Sequence, residues 1–353
     1  MQKIIPYLKL CIEQGASDLY FSAGATPMLR IEGEMRPVGR SLLTSDYVRE
    51  LALSILTDEQ QARLHAEREL DIATDADGLG RFRVNVFTQR GSVAMVLRHV
   101  RTTLPRLAEL NMPEVLRELV MQKRGLILMV GATGSGKSTT LAAMVDHRNE
   151  HAAGHILTIE DPIEFVHGNK RSIVNQREVG TDTVSYERAL QSSLREAPDV
   201  ILIGEVRARE TMDACLQLAN TGHLAISTLH ANNAWQALQR IVNLYPDSQR
   251  PQLYLDLSLT LRAIISQRLV RKKDGRRVAA VEVLINTPFV QDLIVAGRID
   301  ELRDAMAQSS DRGMQSFDQA LYKLHADGVI DLDEALANAD SRSNLEGKIN
   351  FGH

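Results

Sequence analysis

One stretch limits what this chain can fold into more than any other: GLILMVGATGSGKSTTLAAMVDHR, residues 125–148. An apolar run, Leu126–Val130, leads into the complete pattern G-x-x-x-x-G-K-S at 131–138, and a helical pattern follows. Glycines in such a turn let backbone N–H groups face inward around phosphate oxygens, and the helix N-terminus adds partial positive charge. The expected nucleotide-binding set is Gly131, Ala132, Thr133, Gly134, Ser135, Gly136, Lys137, Ser138 and Thr139. Lys137 is expected to reach the β- and γ-phosphates of ATP, and Ser138 to offer its hydroxyl to Mg²⁺. A glycine-rich turn with no ligand is the alternative; the full pattern with both flanks argues against it.

The surrounding text sets the fold class. GLILMVG, HILTIE, VILIGE and HLAIST are short, nearly continuous apolar runs separated by helical patterns. That alternation predicts an α/β domain whose parallel sheet is covered on both faces. RLVRKKDGRRVAAVEVLI reads as a hairpin turning at Asp274–Gly275. The remainder beyond residue 250 reads as largely helical. The final stretch, NADSRSNLEGKINFGH, is polar and reads as a tail with a mobile end and no role.

The first hundred residues differ in character. Ile4, Ile5, Leu8 and Ile12 share a helical face; DLYFSAG and PMLRIEG alternate as strands; RFRVNVFTQRG and SVAMVLRHV pair about a turn at Gln89–Gly91. This region is α+β and carries Arg81, Arg83 and Arg98 on its strands. The expected organisation is an N-terminal domain over 1–103, a linker over 104–110 near Pro105, and an ATP-binding domain with a helical C-terminal part over 111–353.

Composition excludes more than it selects. With 353 residues, 24% of them charged, and a net charge of −4, a general nucleic-acid coating role is not expected. Cys11 and Cys215 lack metal or disulfide spacing. Pro6, Glu13 and Gln14 interrupt the N-terminus, so it does not read as a secretory leader, and no apolar run reaches membrane-spanning length. A cytoplasmic protein without direct membrane insertion is expected.

A phosphate cradle does not name a reaction. Gly168-Asn169-Lys170-Arg171 lacks the aspartate of a guanine-reading Asn-Lys-x-Asp segment. In DVILIGE, residues 199–205, Glu205 stands at the carboxyl end of a strand, where ligands of open α/β sheets bind. Gly204 occupies the place where many such proteins put an aspartate, so Glu205 is expected to serve Mg²⁺. TIEDPIE, residues 158–164, gathers Glu160, Asp161 and Glu164 after another strand. Acids this close repel unless a cation or donors compensate, and one could act as general base.

In order, GATGSGKST, TIEDPIEF, LREAPDVILIGEVR and TGHLAISTLH resemble the four boxes of the secretion ATPase (GspE/PilT) superfamily, and GASDLYFSAGATPMLRIEGEMRPV resembles its type IV pilus retraction branch. FVQDLIVAGRIDELRDAM, 289–306, lacks both arginines of the Ala-Ile-Arg segment of PilT-like members, and the likeness is nearer to the PilU-like group. The resemblance implies a PAS-like N-terminal domain, a RecA-like motor domain and a homohexameric ring with ATP between the two domains. It implies pilus retraction and twitching motility driven by ATP hydrolysis, with a PilT-like retraction ATPase and an inner-membrane platform protein as partners. An autonomous PilT-type motor and an ATP-binding regulatory subunit remain the alternatives. A pilus-assembly ATPase is disfavoured, because two cysteines cannot build a tetracysteine zinc motif. By the same resemblance Lys137 and Ser138 bind phosphate and Mg²⁺, Glu205 is the Walker B acid, and Glu164 is the general base. Arg83 and Arg98, with Arg81 as a further candidate, supply charge to the γ-phosphate, unless they are simply solvated residues of a sheet face. The family's usual aspartate after Gly-Glu-x-Arg is Ala208.

His223 and His230 flank Leu224–Leu229. An odd separation along a strand puts side chains on opposite faces, and no nearby ligands complete a metal set. The resemblance makes this the His box, with His230 beside the phosphates and His223 before the strand.

Overall fold

A computed structural model describes residues 3–31, 33–76, 78–100, 103–309 and 313–351. Residues up to Thr103, with Glu164–Val166, form one compact unit; Leu104–Ile163 and the residues from His167 onward form a second.

The first unit contains α1 (Ile5–Glu13), β1 (Asp18–Phe21), β2 (Met28–Ile31), β3 (Glu34–Pro37), α2 (Ser45–Leu53), α3 (Asp58–Glu67), β4 (Glu69–Ala76), β5 (Gly80–Gln89) and β6 (Ser92–His99). Its strands form one antiparallel sheet in the order β3-β2-β1-β6-β5-β4. Thr44 and Thr57 cap α2 and α3 by accepting from Tyr47 N and Gln60 N. Leu8 and Cys11 of α1, Val48 and Leu51 of α2 and Leu64 of α3 share a core with Leu19, Phe21, Phe82, Val84 and Leu97 of the sheet. Strand β4, whose alternation carries acids and threonine, was not expected from the sequence.

The second unit contains α4 (Val115–Val120), β7 (Gly125–Val130), α5 (Lys137–His151), β8 (Gly154–Glu160), β9 (Ser172–Glu178), α6 (Tyr186–Ser193), β10 (Val200–Ile203), α7 (Arg209–Asn220), β11 (Leu224–Leu229), α8 (Ala234–Val242), α9 (Arg250–Thr260), β12 (Leu261–Arg271) and β13 (Arg277–Ile285). It closes with α10 (Pro288–Val295), α11 (Leu302–Gln308), α12 (Phe317–Ala326), α13 (Leu332–Ala337) and α14 (Arg342–Phe351). The seven strands lie in the order β13-β12-β7-β11-β10-β8-β9, parallel except for β13 against β12. Alternate residues of one strand feed opposite cores: Leu126, Leu128 and Val130 pack with α7 and α8, while Ile127 and Met129 pack with α4 and α5. This is why the strands read as continuous apolar runs rather than alternating ones.

The structure adds detail to three readings. Strand β12 begins at Leu261, seven residues before the hairpin predicted from sequence, because Leu261–Gln267 crosses the sheet interior beside β7. Within the stretch 104–110, expected as a linker, Leu107 is buried in the core that α4 and α5 share. The final segment is helical over Arg342–Phe351, with Leu345 buried against α12 and α13; the last two residues lie outside the described ones.

Candidate active site

The phosphate loop joins β7 to α5. Gly136 is the N-cap of α5 at φ 89°, and Gly131 sits at φ 152°, both in the region that disfavours side chains. A Cβ on Gly131 would meet Ser135 Oγ at 2.5 Å and the Gln267 carbonyl at 2.6 Å. Lys137 donates to the carbonyls of Gly131 at 2.8 Å and Ala132 at 2.9 Å, so its ammonium lies across the mouth of the loop. Burial pulls the Lys137 pKa down, and Glu205 opposes that shift. Ala132, Thr133, Gly134 and Ser138 are exposed at the loop, Thr139 is half-buried, and Ser135 is buried beneath it.

Two neighbouring strands deliver the acid and the histidine. Parallel β10 ends at Ile203 opposite Ser227 of β11, and Val206 N donates to Thr228 O at 2.9 Å just past that end. Glu205 and His230 follow the ends of these strands, with His230 Nε2 3.3 Å from Glu205 Oε1. Arg207 Nε bonds the other carboxylate oxygen at 2.7 Å. Gly204 leaves no space for the aspartate that its place suggested: a Cβ there would collide with the Tyr186 hydroxyl and stand 3.3 Å from the Ile159 carbonyl. Burial, reinforced by Asp161, pushes the Tyr186 phenol above its ordinary range. Sequence reading passed over Tyr186, since a tyrosine opening a helix gives no signal of where its hydroxyl goes.

The acidic turn after β8 spreads its charges. Glu160 accepts from Thr158 Oγ1 at 2.6 Å and Gln176 Nε2 at 3.1 Å. Buried Glu178, also unnoticed in the sequence, accepts from Ile163 N at 3.1 Å and fixes the turn. Glu164 groups with the first unit, where Arg83 Nη1 lies 3.8 Å from its carboxylate. There Arg83 and Arg98 stand directly opposite on β5 and β6, and Arg98 stands opposite Asp18 on β1. Like charges in that position repel. Buried Asp18 answers with a 2.7 Å bond to Arg98 Nε, which raises the Arg98 pKa. Arg81 pairs instead with Asp75 at 3.4 Å.

His223 lies at the opposite end of β11 from His230. Its Nδ1 is 3.1 Å from Thr221 Oγ1 and 3.2 Å from Leu218 O, closing the corner between α7 and the strand. Ala208 occupies the N-cap of α7 in extended conformation without a side-chain acceptor. An aspartate at this position would cap the helix, and Ala208 leaves it uncapped.

A parallel sheet with a phosphate loop, a lysine at the pattern's place in that loop and a carboxylate at the next strand but one defines a P-loop ATPase. The oxygen donors available, the Ser138 hydroxyl and the Glu205 carboxylate, suit a small hard cation, and the Glu205 charge is felt at Lys137. Residues 2–322 match the family described as Type II/IV secretion system protein, and the chain belongs to that family. It is 49% identical to the type IV pilus ATPase PilU of Pseudomonas aeruginosa over 98% of this chain and 91% of that one. To the type IV pilus retraction ATPase PilT of the same organism it is 41% identical, over 97% and 99%. The crystal structure of the pilus retraction motor PilT with bound ADP superimposes with a TM-score of 0.91 at 43% identity, covering 97% and 98% of the two chains. The protein is therefore an ATPase of the secretion family, within its pilus-retraction branch. Among the described residues no helix is long and apolar enough to cross a membrane.

Proposed function

We propose that this chain is a motor subunit of type IV pilus retraction, working as a homohexamer at the inner-membrane platform and together with a PilT-like ring. The observation that carries this reading is the meeting of Glu205 and His230 beside the Lys137 loop in a chain 49% identical to PilU. Lys137 leaves the loop carbonyls to hold the β- and γ-phosphates. Ser138 and Glu205 would hold Mg²⁺, which would supply positive charge against the phosphates. Glu164 takes the proton of the attacking water, and Arg83 supplies positive charge to the γ-phosphate, the roles that the family resemblance implies for them. Arg98, held by Asp18, acts as the second arginine of that sheet. His230 reads the state of Glu205.

The test is pilus retraction in the host, with this gene and that of the PilT-like relative deleted singly and together. Retraction force that needs both proteins, and that falls in a Lys137→Ala strain, supports the reading. Full retraction by this chain alone would refute the partnership. Unchanged retraction without this chain would refute the motor role.

A further inference from the structure

Strand β12 runs beside β7 under the phosphate loop, and its side chains alternate between two faces. Ser266 donates to Glu282 at 2.9 Å and Arg268 to Asn232 O at 3.2 Å, both toward α8. Gln267 faces the other way, into the loop. It is 2% exposed. Its Nε2 donates to Ser135 O at 2.8 Å, and its Oε1 accepts from Thr140 Oγ1 of α5 at 2.8 Å. Its backbone carbonyl is the atom that a Cβ on Gly131 would strike at 2.6 Å, and its Nε2 stands 2.7 Å from a Cβ on Gly136.

We propose that Gln267 is a positioning residue for nucleotide binding: it holds the phosphate loop in its binding shape from beneath. A primary amide is suited to this, since it donates and accepts at once without charge. Peptide planarity carries the effect upward. In a trans peptide the C=O and the following N–H point in opposite directions. Pinning the Ser135 carbonyl down onto Gln267 therefore turns the Gly136 N–H up, toward the concave side where a phosphate is bound. Thr140 fixes which end of the amide faces the loop. A loop freed from this bond samples rotated peptides, and binding then bears the cost of reordering it.

The experiment is ADP titration by calorimetry on the full-length protein, with steady-state ATP hydrolysis beside it. Gln267→Met keeps the buried volume and removes both bonds. About tenfold weaker ADP binding is expected, the size of losing one hydrogen bond that leaves a buried partner unmet. KM for ATP should rise similarly while kcat changes less than about twofold, because Lys137 and Glu205 are untouched. Thr140→Val should weaken ADP binding less than Gln267→Met. A folded Gln267→Met protein with unchanged ADP affinity would overturn the proposal, whatever its melting temperature. If that variant fails to fold, Gln267→Glu decides: it keeps the acceptor for Thr140, loses the donor to Ser135, and must still bind ADP more weakly. The proposal rests on the loop binding nucleotide and not on the pilus assignment. Wild-type ADP binding is the control for the site itself.

Discussion

Replacing Glu282 by glutamine should make the protein more stable at pH 8 and change it by less than ~1 kcal/mol at pH 5. Glu282 lies on β13, 4% exposed, where its Oε1 accepts from Ala234 N at the start of α8 at 2.8 Å and from Ser266 Oγ at 2.9 Å. Arg268 and Asp340 are the charged groups that act on it, with opposite signs. Burial dominates and pushes its pKa from the ordinary 4.5 to about 7, despite the two bonds. A carboxyl whose folded value is raised stabilises the fold fully below about 4.5, and loses that contribution as pH rises to about 7. At ~1.4 kcal/mol for each pH unit, the interval amounts to ~3 kcal/mol. Glutamine keeps the acceptor oxygen and carries no charge to desolvate. Urea or thermal denaturation followed by circular dichroism between pH 5 and 8.5 would measure it. Near pH 5 the variant should lie within ~1 kcal/mol of wild type; at pH 8 it should gain ~3 kcal/mol, roughly 4 °C in melting temperature for a chain of this length. Buried His167, with a pKa held down at about 4, lowers stability toward acid in both proteins, so it cancels in the difference. A variant less stable than wild type at pH 8, or a difference that does not vary with pH, would refute the reasoning. It would mean that the α8 N-terminus favours the carboxylate more than burial opposes it.

Three further outcomes follow from particular contacts. Ala208→Asp should restore the missing cap of α7 and raise stability by ~1 kcal/mol in a denaturant titration. Gly204→Ala should cost ~1–3 kcal/mol and reduce ATP turnover, because its Cβ meets the Tyr186 hydroxyl and the Ile159 carbonyl beside Glu205; equal turnover in the variant would show that the strand end yields without effect. Arg268→Met should destabilise by ~2–4 kcal/mol and expose α12–α14 to limited proteolysis, since Arg268 bonds Asn338 O at 2.7 Å and Asp340 at 2.6 Å and lies 3.8 Å over the Phe317 ring.

The parts of this protein that announce themselves in sequence are those whose chemistry needs a fixed residue at a fixed spacing. The loop at 131–138 and Glu205 after β10 are of this kind. The apolar runs of β7, β8, β10 and β11 were legible because a doubly covered sheet admits no polar alternation. Strand β9 was not, since its edge position leaves Ile173 exposed and mixes polar residues in. Nor was the start of β12, where Leu261–Gln267 has the length and apolarity of a buried helix turn as much as of a strand. Long-range partners left no trace: Gln267 meets Ser135 across 132 residues, and Glu282 meets Ala234 across 48. The acidic turn misled in one respect. It read as three crowded acids needing a cation or donors; donors compensate two of them, Thr158 and Gln176 at Glu160 and Arg83 at Glu164, while nothing in the sequence indicated which.

The most direct test of the central claim is ATP hydrolysis by the purified full-length protein, compared with Glu205→Ala and with ADP binding measured on both. Turnover is expected in the wild type, with a fall of about 100-fold or more in the variant and ADP binding that stays within about a few-fold. Equal turnover in Glu205→Ala would contradict the claim, because the acid at the end of β10 would then have no part in the chemistry.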